Sequence, residues 1–239
     1  MNKKDIIVTT VLYNPSTIFE SVYQDLLESG YRLDIWCNSN LSDDHKTIIS
    51  RLKYKGAKIY EHYENYGLQK IFNSYLKTKQ NKILFFLDQD TLINPKLFDD
   101  FIDQNIQLFK AKFLIYGYSK KRPQFFFTNS GCFFNLNFDQ ITIPKKFFVE
   151  LIDYFLMFKI LEKKLSYEYR EVEFIDHYSF QNDMDDSTGK KKYSRKRKKE
   201  IIKSTIVLSR LVLFSRDLTW YIRMKLLYHT ILNTLNIIK

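Results

Sequence analysis

The chain has 239 residues, of which 45% are hydrophobic and 17% are aromatic. This composition excludes a disordered protein, and the length suits one full-sized core with a small appendage. The formal net charge is +11, but eight basic residues lie in one run, KKKYSRKRKK at 190–199, and 11 minus 8 leaves only +3 for the rest of the chain. The positive charge is therefore a local patch and not a property of the whole fold.

The first half of the chain alternates between predicted strands and predicted helices. Strands are predicted over 5–14, 32–40, 57–63 and 82–87, and amphipathic helices over 16–30, 43–56 and 67–79. Gly30 and Gly56 are the expected ends of the first two helices. Strands that alternate with helices of about a dozen residues form parallel βαβ units. The sequence therefore predicts an α/β fold with a mainly parallel sheet flanked by helices.

Polar residues follow each predicted strand, namely Tyr13-Asn14, Cys37-Asn38-Ser39, Asn65 and Asp88-Gln89-Asp90. Because ligands of parallel sheets bind beyond the carboxyl ends of the strands, we expect these residues to border one crevice. The chain has no G-x-x-x-x-G-K pattern and no G-x-G-x-x-G after its first strand. Their absence argues against a Walker-type phosphate loop and against a dinucleotide cofactor.

The stretch FFLDQDT, residues 85–91, runs from a buried strand into Asp88 and Asp90. Two carboxylates one residue apart can hold a hard divalent cation, which takes its remaining ligands from water and substrate phosphates. A solvated turn or a helix N-cap is the alternative explanation for the same pair.

Five segments, taken together, carry a resemblance to a known family. They are Tyr13-Asn14-Pro15, Asn38-Ser39, NYGLQKIFN (65–73), FFLDQDT (85–91) and TNSGCFFN (128–135). In this order they resemble the inverting family 2 glycosyltransferases, and they are most similar to the rhamnosyltransferase-like branch. The resemblance implies a GT-A type nucleotide-sugar-binding domain over 1–182. The composition of 183–200, which is acidic and then basic, predicts a linker after this domain.

The resemblance also assigns site residues. It implies that the nucleotide donor is bound by Thr10, Tyr13, Asn14, Asn38, Asn65, Gly67 and Asp88. It implies a Mg²⁺ or Mn²⁺ ion held by Asp90, Asp88 and His177, and an acceptor pocket flanked by Thr128, Asn129, Ser130 and Gly131. Cys37 departs from the pattern, because the family usually has at this position an acid that contacts the base or ribose of the donor.

Inverting transfer needs a carboxylate that accepts the proton of the acceptor hydroxyl. The segment FFVELIDYFLMFKI, residues 147–160, aligns with the family block that supplies this base, and Asp153 falls on the usual position. Glu150 is the reserve candidate, because residues three apart share a helix face. A surface acid on an amphipathic helix is the alternative reading of Asp153. Phe155 replaces a further acid of the family.

The C-terminal part, 201–239, is predicted to form amphipathic helices. Charges recur every seven residues at Lys203, Arg210 and Asp217, which would place them on one stripe and leave a broad apolar face. No apolar stretch reaches the length of a membrane span. The basic run and Trp220 predict contact of 190–239 with an anionic membrane surface. Packing on the catalytic domain or in a homo-oligomer is the alternative.

Three functions follow from these observations. The favoured one is a metal-dependent, inverting glycosyltransferase that moves a sugar from dTDP-rhamnose or a UDP-hexose to a saccharide or polyprenyl-diphosphate-linked acceptor during synthesis of a surface polysaccharide such as capsule, exopolysaccharide or O-antigen. The second is a catalytically silent relative that binds a sugar or a partner. The third is a nucleic-acid-binding protein that uses the basic run, although we expect no nucleic-acid partner.

The expected location follows from the cysteines and the N-terminus. Cys37 and Cys132 lie in apolar stretches without the spacing of metal ligands, which predicts free buried thiols in a reducing compartment. The apolar run at the N-terminus is too short and too polar for a signal peptide. A cytoplasmic protein, peripheral on the inner face of the cell membrane, is therefore expected.

Overall fold

The structure is a computed structural model that describes residues 2–15, 18–62, 64–77, 80–89, 91–118, 131–137, 141–145, 147, 151–177 and 195–238. After a short 3-10 helix at Lys3–Asp5, the first half contains β1 (Ile6–Leu12), α1 (Glu20–Glu28), β2 (Arg32–Cys37), α2 (Asp43–Tyr54), β3 (Lys58–Glu61), α3 (Leu68–Leu76) and β4 (Ile83–Asp88). These are the seven elements that the hydrophobic pattern predicts, although α1 begins at Glu20, later than the predicted start at residue 16.

The second half adds shorter strands and longer helices. In chain order these are β5 (Thr91–Ile93), α4 (Pro95–Ala111), β6 (Leu114–Tyr118), β7 (Cys132–Asn135), α5 (Ile152–Glu162), β8 (Tyr167–Glu171), β9 (Ile175–His177), α6 (Arg195–Phe214) and α7 (Trp220–Ile238). Pro95 at the start of α4 and the side chain of Asn94, which accepts a hydrogen bond from the Leu97 amide, explain why that helix begins there.

Among the described residues the main sheet has seven strands in the order β3-β2-β1-β4-β7-β6-β8. The pairs β1–β2, β1–β4, β2–β3 and β6–β8 are parallel, whereas β7 is antiparallel to both β4 and β6. A two-stranded antiparallel sheet of β5 and β9 lies apart from it. The predicted α/β class with a mainly parallel sheet flanked by helices is confirmed.

The central strands are buried on both faces, which explains their nearly continuous apolar sequences. On one face, Val8 and Phe85 belong to a core with residues of α1, α2 and α4. On the other face, Ile7 and Phe86 belong to a core with residues of α3 and α5. The alternation of side chains along β4 places Asp88, two residues after Phe86, on the α3 and α5 side of the sheet.

A polar network that the hydrophobic pattern does not reveal lies on the same side of the sheet. The buried carboxylate of Asp34 accepts hydrogen bonds from Arg32 at 2.9 and 3.0 Å and from the Tyr75 hydroxyl at 2.8 Å. Trp36 Nε1 in turn donates to the Tyr75 hydroxyl at 2.9 Å. Because unsatisfied buried polar groups are costly, this network ties β2 to α3 in one arrangement.

The C-terminal helices pack on the core of the sheet domain. Leu208 and Val212 of α6 and Leu226 and Leu227 of α7 join the core that contains α5. The guanidinium of Arg223 donates to the carbonyls of Leu213 at 3.2 Å and Leu218 at 3.0 Å and thereby holds the turn between the helices. None of the described helices combines the length and apolar character that crossing a membrane requires.

The predicted stripe of charges at every seventh residue is not continuous. Lys203 and Arg210 are both exposed on α6, as expected. Asp217, however, lies in the turn that follows the end of α6 at Phe214. The prediction was wrong at that point because a seven-residue spacing preserves a face only while the helix continues.

Candidate functional site

The carboxyl ends of β4, β1 and β2 and the loop after β3 form a continuous hydrogen-bonded edge. The strand ends follow one another along this edge in the order of the strands in the sheet, β3-β2-β1-β4. Side chains of polar residues that follow the strands join each strand end to the next. Six of the residues expected to border one crevice are brought together by these contacts: Tyr13, Asn14, Asn38, Ser39, Asn65 and Gln89.

The first link joins the ends of β4 and β1. The Tyr13 amide donates to Gln89 Oε1 at 2.7 Å, and Gln89 Nε2 donates to the Tyr13 carbonyl at 3.3 Å. The side chain of Tyr13 is itself 47% exposed, so the aromatic ring stands at the open edge. Gln89 was expected at this edge, but its role could not be predicted, because its partners are backbone atoms 76 residues away and leave no pattern in the sequence.

The second link joins the ends of β1 and β2. The Asn14 amide donates to Ser39 Oγ at 2.8 Å. Asn14 has a φ of 45°, in the left-handed region that asparagine tolerates better than most residues. Asparagine therefore suits the sharp turn after β1, and Pro15 follows it directly.

The third link joins the end of β2 to the loop after β3. Asn38 is almost fully buried; its Nδ2 donates to Asn65 Oδ1 at 3.0 Å and its Oδ1 accepts from the Tyr66 amide at 2.7 Å. Asn65 Oδ1 also accepts from the Gly67 amide at 3.0 Å, and Gly67 has a φ of 90° that favours glycine. Asn38 therefore shapes the loop, and Asn65 remains half-exposed at the edge.

Two other positions predicted at the donor site face the interior. Thr10 is fully buried, and its Oγ1 accepts a 3.4 Å hydrogen bond from the Tyr23 hydroxyl, so its side chain packs against α1. Cys37 belongs to the core on the α1 and α2 face, where burial, together with the charge of Glu61, raises its pKa to about 11. The thiol is therefore neutral at pH 7 and takes the place of the family acid without providing a charge.

Asp88, in the first half of the chain, and Asp153, in the second half, both influence the pKa of one buried thiol, that of Cys132. Burial raises the pKa of the Cys132 thiol well above its ordinary value, and the negative charges of Asp153 and Asp88 raise it further. Burial and the charge of Asp153 also raise the pKa of Tyr154 to about 12. Both carboxylates thus contribute to the electrostatic surroundings of the first residue of β7.

Gly131 lies at the boundary between β7 and the segment that precedes it. Its amide donates to the Phe86 carbonyl at 3.1 Å, so it extends the antiparallel pairing of β7 with β4. Its φ of 87° is in the left-handed region, which explains glycine at this position. Gly131 thus lies beside the end of β4, near Asp88.

The helix that carries the predicted base starts later than expected. Leu151 has a φ of 60°, in the left-handed region, so no helix continues through it, and α5 begins at Ile152. Glu150, which was predicted to share a helix face with Asp153, lies outside the described residues. Asp153 lies in the first turn, where the helix dipole favours a negative charge, and its Oδ1 accepts the Tyr154 amide at 2.9 Å.

Several predicted site residues lie outside the described part of the chain. These are Asp90, Thr128, Asn129, Ser130 and Glu150. The backbone of His177 is described, and it pairs with Thr91, the residue after Asp90. Within the described residues, no three His, Cys, Asp or Glu side chains are grouped to hold a metal ion.

The architecture defines a class of protein. A mainly parallel sheet in the order β3-β2-β1-β4 with the antiparallel strand β7 beside β4, and polar residues at the strand ends, is the GT-A type of fold seen in glycosyltransferases. The GT-A fold that the sequence predicted is confirmed, and α6 and α7 are the predicted helical extension. No protein-family model matches the sequence, and no curated protein matches it.

Solved structures with this fold include three informative neighbours. TarS from S. aureus has a TM-score of 0.62 at 14% identity, over 95% of this chain and 42% of the TarS chain. Residues 1–349 of TarS, in complex with UDP-GlcNAc, give 0.55 at 15% identity, over 95% and 71%. Glucosyl-3-phosphoglycerate synthase from Mycobacterium tuberculosis, with Mg²⁺ and UDP, gives 0.52 at 11%, over 90% and 80%. The chain thus spans less than half of the TarS chain.

Proposed function

We propose that this protein is an inverting glycosyltransferase that moves a sugar from a nucleoside diphosphate donor to a hydroxyl group of an acceptor. The observation that carries the proposal is that Asp88 ends β4 on the side of the sheet against which α5, the helix of Asp153, packs. A carboxylate at a strand end and a second one on a separate helix suit the two tasks of the reaction, which are to bind the diphosphate and to accept a proton.

The nucleotide part of the donor would bind along the hydrogen-bonded edge. Tyr13 offers an exposed ring after β1, and Asn65 is half-exposed beyond β3. Cys37 provides no charged contact to the base. The donor is dTDP-rhamnose, by resemblance, or a UDP-hexose, which the complexes of the neighbours with UDP and UDP-GlcNAc support.

The residues present fit a divalent metal ion. Asp88 ends a buried strand and is half-exposed at the polar edge. The backbone of His177, the third candidate, pairs with Thr91, which follows Asp90 in the sequence. Mg²⁺ and Mn²⁺ need only one or two protein carboxylates, because water and phosphate complete the coordination. We assign Asp88, Asp90 and His177 to this ion, which would neutralise the charge of the leaving diphosphate.

Asp153 is the proposed general base. Its carboxylate would accept the proton of the acceptor hydroxyl as that oxygen attacks the anomeric carbon, and the nucleoside diphosphate would leave on the opposite side. The acceptor, a saccharide or a polyprenyl-diphosphate-linked sugar in synthesis of a surface polysaccharide, would enter beside Gly131 and the preceding residues Thr128, Asn129 and Ser130.

Donor binding tests this proposal directly. A ligand at about a hundredfold its Kd stabilises a folded protein by about 2.7 kcal/mol, which raises the Tm of a domain of this size by roughly 5–10 °C. We expect such a rise with at least one of UDP-glucose, UDP-GlcNAc and dTDP-rhamnose when Mn²⁺ is present, and a smaller rise with EDTA. No shift with any nucleotide sugar or with UDP or dTDP would contradict the proposed function.

We further propose that α6 and α7 dock on an anionic membrane surface. Seven exposed large side chains lie on α7: Trp220, Tyr221, Met224, Tyr228, Ile231, Leu232 and Leu235. At 3.6 residues per turn they occupy an arc of about 120°. Exposed basic side chains, among them Lys199, Lys203 and Arg210, lie on α6, the helix that packs against α7. Exposed apolar area together with positive charge is what an anionic bilayer surface binds, and this combination favours lipid over a second copy of the chain.

Cosedimentation with vesicles measures this docking. Binding to vesicles with about 30% anionic lipid is expected to exceed binding to neutral vesicles, and the double variant Trp220→Ser and Tyr228→Ser is expected to lose about tenfold in affinity. Tyr54→Ser is the matched control, since Tyr54 is exposed on α2. Equal binding by all three proteins, or a wild-type dimer that the double variant dissociates, would contradict docking on lipid.

A further inference from the structure

Gln89 binds the backbone of a single residue with both ends of its amide. Its Oε1 accepts from the Tyr13 amide at 2.7 Å, and its Nε2 donates to the Tyr13 carbonyl at 3.3 Å. A side chain that satisfies both backbone groups of one residue acts as an adjacent strand would. This clamp lies just beyond the parallel ladder of β1 and β4, in which Val11 and Asp88 form the last pair.

The location of the clamp argues against a mainly structural role. Tyr13 is exposed, and Gln89 is only half-buried, so water can replace both hydrogen bonds if the side chain is removed. Such bonds contribute little to the stability of the whole fold. The two hydrogen bonds do determine where the loop after β1 lies relative to the end of β4. Gln89 stands there between Asp88 and Asp90 in the sequence.

The clamp is one member of the chain of hydrogen bonds along the edge. From Tyr13 the chain continues through the Asn14 amide to Ser39 and through Asn38 to Asn65. Gln89 is at one end of this chain, between the proposed metal ligands Asp88 and Asp90 in the sequence. Its partner Tyr13 belongs to the loop assigned to the nucleotide, so Gln89 joins the two parts of the proposed donor site.

We propose that Gln89 is a positioning residue that keeps the nucleotide-binding loop at Tyr13 and Asn14 in register with the metal-binding turn. This inference rests on the proposed function. It explains why a glutamine stands between the two acids: its side chain has an acceptor and a donor at the spacing of one backbone N–H and C=O. Neither methionine nor glutamate of similar length provides both.

Two readouts test the inference separately from the proposed function. The first is hydrogen exchange at the Tyr13 amide, which needs neither metal nor donor. Gln89→Met is expected to accelerate this exchange about tenfold or more, because the variant removes the acceptor, whereas Gln89→Glu retains an acceptor oxygen and should change it less. The second readout is the affinity for UDP or dTDP with Mn²⁺, which is expected to fall about tenfold in Gln89→Met at an unchanged Tm.

Gln24→Met is the matched control, since Gln24 donates to Glu20 on α1 at 2.9 Å, away from the edge. It should alter neither readout. Unchanged exchange at Tyr13 in Gln89→Met would overturn the clamp, and accelerated exchange with unchanged nucleotide affinity would overturn its positioning role. If the wild-type protein binds no nucleotide at all, the proposed function fails, and the positioning role fails with it.

Discussion

Replacement of Asp153 by asparagine is expected to lower kcat for sugar transfer by about a thousandfold, within the range that a lost general base costs. Asparagine retains an oxygen that can accept the Tyr154 amide, which Asp153 Oδ1 accepts at 2.9 Å, so the first turn of α5 should stay intact. The amide oxygen is far less basic than a carboxylate, however, and cannot take the proton of the acceptor hydroxyl.

The same variant should leave the donor site unchanged. Asp153 belongs to α5, whereas the proposed donor site is formed by the ends of β1, β2 and β4 and by the loop after β3. The Kd for UDP or dTDP with Mn²⁺ is therefore expected to equal that of the wild-type protein. Asp217→Asn, at an exposed position in the turn after α6, is the control and should retain full kcat. Near-normal turnover by Asp153→Asn would show that another group is the base.

Replacement of Asp90 by alanine is expected to have the second largest effect, a loss of metal-dependent donor binding. A divalent ion bridges the protein and the diphosphate, so removal of a ligand weakens the metal and the donor together. In the variant, affinity for UDP or dTDP should be the same with Mn²⁺ as with EDTA. Asp88→Asn should produce a weaker form of the same phenotype, because asparagine retains a side-chain oxygen. Asp88 forms the last residue pair of β1 and β4 with Val11.

Titration calorimetry of UDP and dTDP, with Mn²⁺ and with EDTA, measures this effect. Asp43→Ala is the matched control, because the side chain of Asp43 on α2 is 97% exposed and lies outside the edge of strand ends. If Asp90→Ala keeps a Mn²⁺-dependent gain in affinity equal to that of the wild-type protein, the metal assignment is wrong. The Tm of each variant in the absence of ligand separates loss of binding from loss of folding.

Much of this edge could be predicted from the sequence, because parallel strands bring their ends together. An apolar run such as ILFFL identifies β4 by itself, and the residue after it must then lie at the sheet edge. Asn65 and Asp88 were therefore predictable as neighbours of one crevice. Their chemistry was predicted from the resemblance, of which the comparison with TarS, at 14–15% identity, supports the fold.

Contacts between distant backbone and side-chain atoms could not be predicted. Gln89 binds backbone atoms of Tyr13, and any residue type can provide those atoms, so the sequence contains no trace of the pairing. The buried network around Asp34 is similar: a carboxylate in the middle of β2 contradicts the apolar pattern, and only the fold brings Tyr75 within reach. The start of α5 after Leu151 could not be predicted either, because a leucine rarely adopts the left-handed backbone conformation that Leu151 has.

The order of the sequence motifs also could not predict which way a buried residue near a strand end faces. Thr10 and Cys37 follow the expected order along their strands, but both side chains point into the core that contains α1. Whether a residue near a strand end faces the edge or a helix depends on register within one or two residues. The order of motifs alone does not determine it.

The central claim is that Asp153 and the edge of strand ends together perform sugar transfer. Release of UDP or dTDP from nucleotide sugars, with Mn²⁺ and an acceptor extract, measures this most directly when wild-type protein and Asp153→Asn are compared at equal concentration. We expect release by the wild-type protein that EDTA stops and that Asp153→Asn reduces by about a thousandfold. No release from any donor by a wild-type protein that is folded, or equal release by both proteins, would contradict the claim.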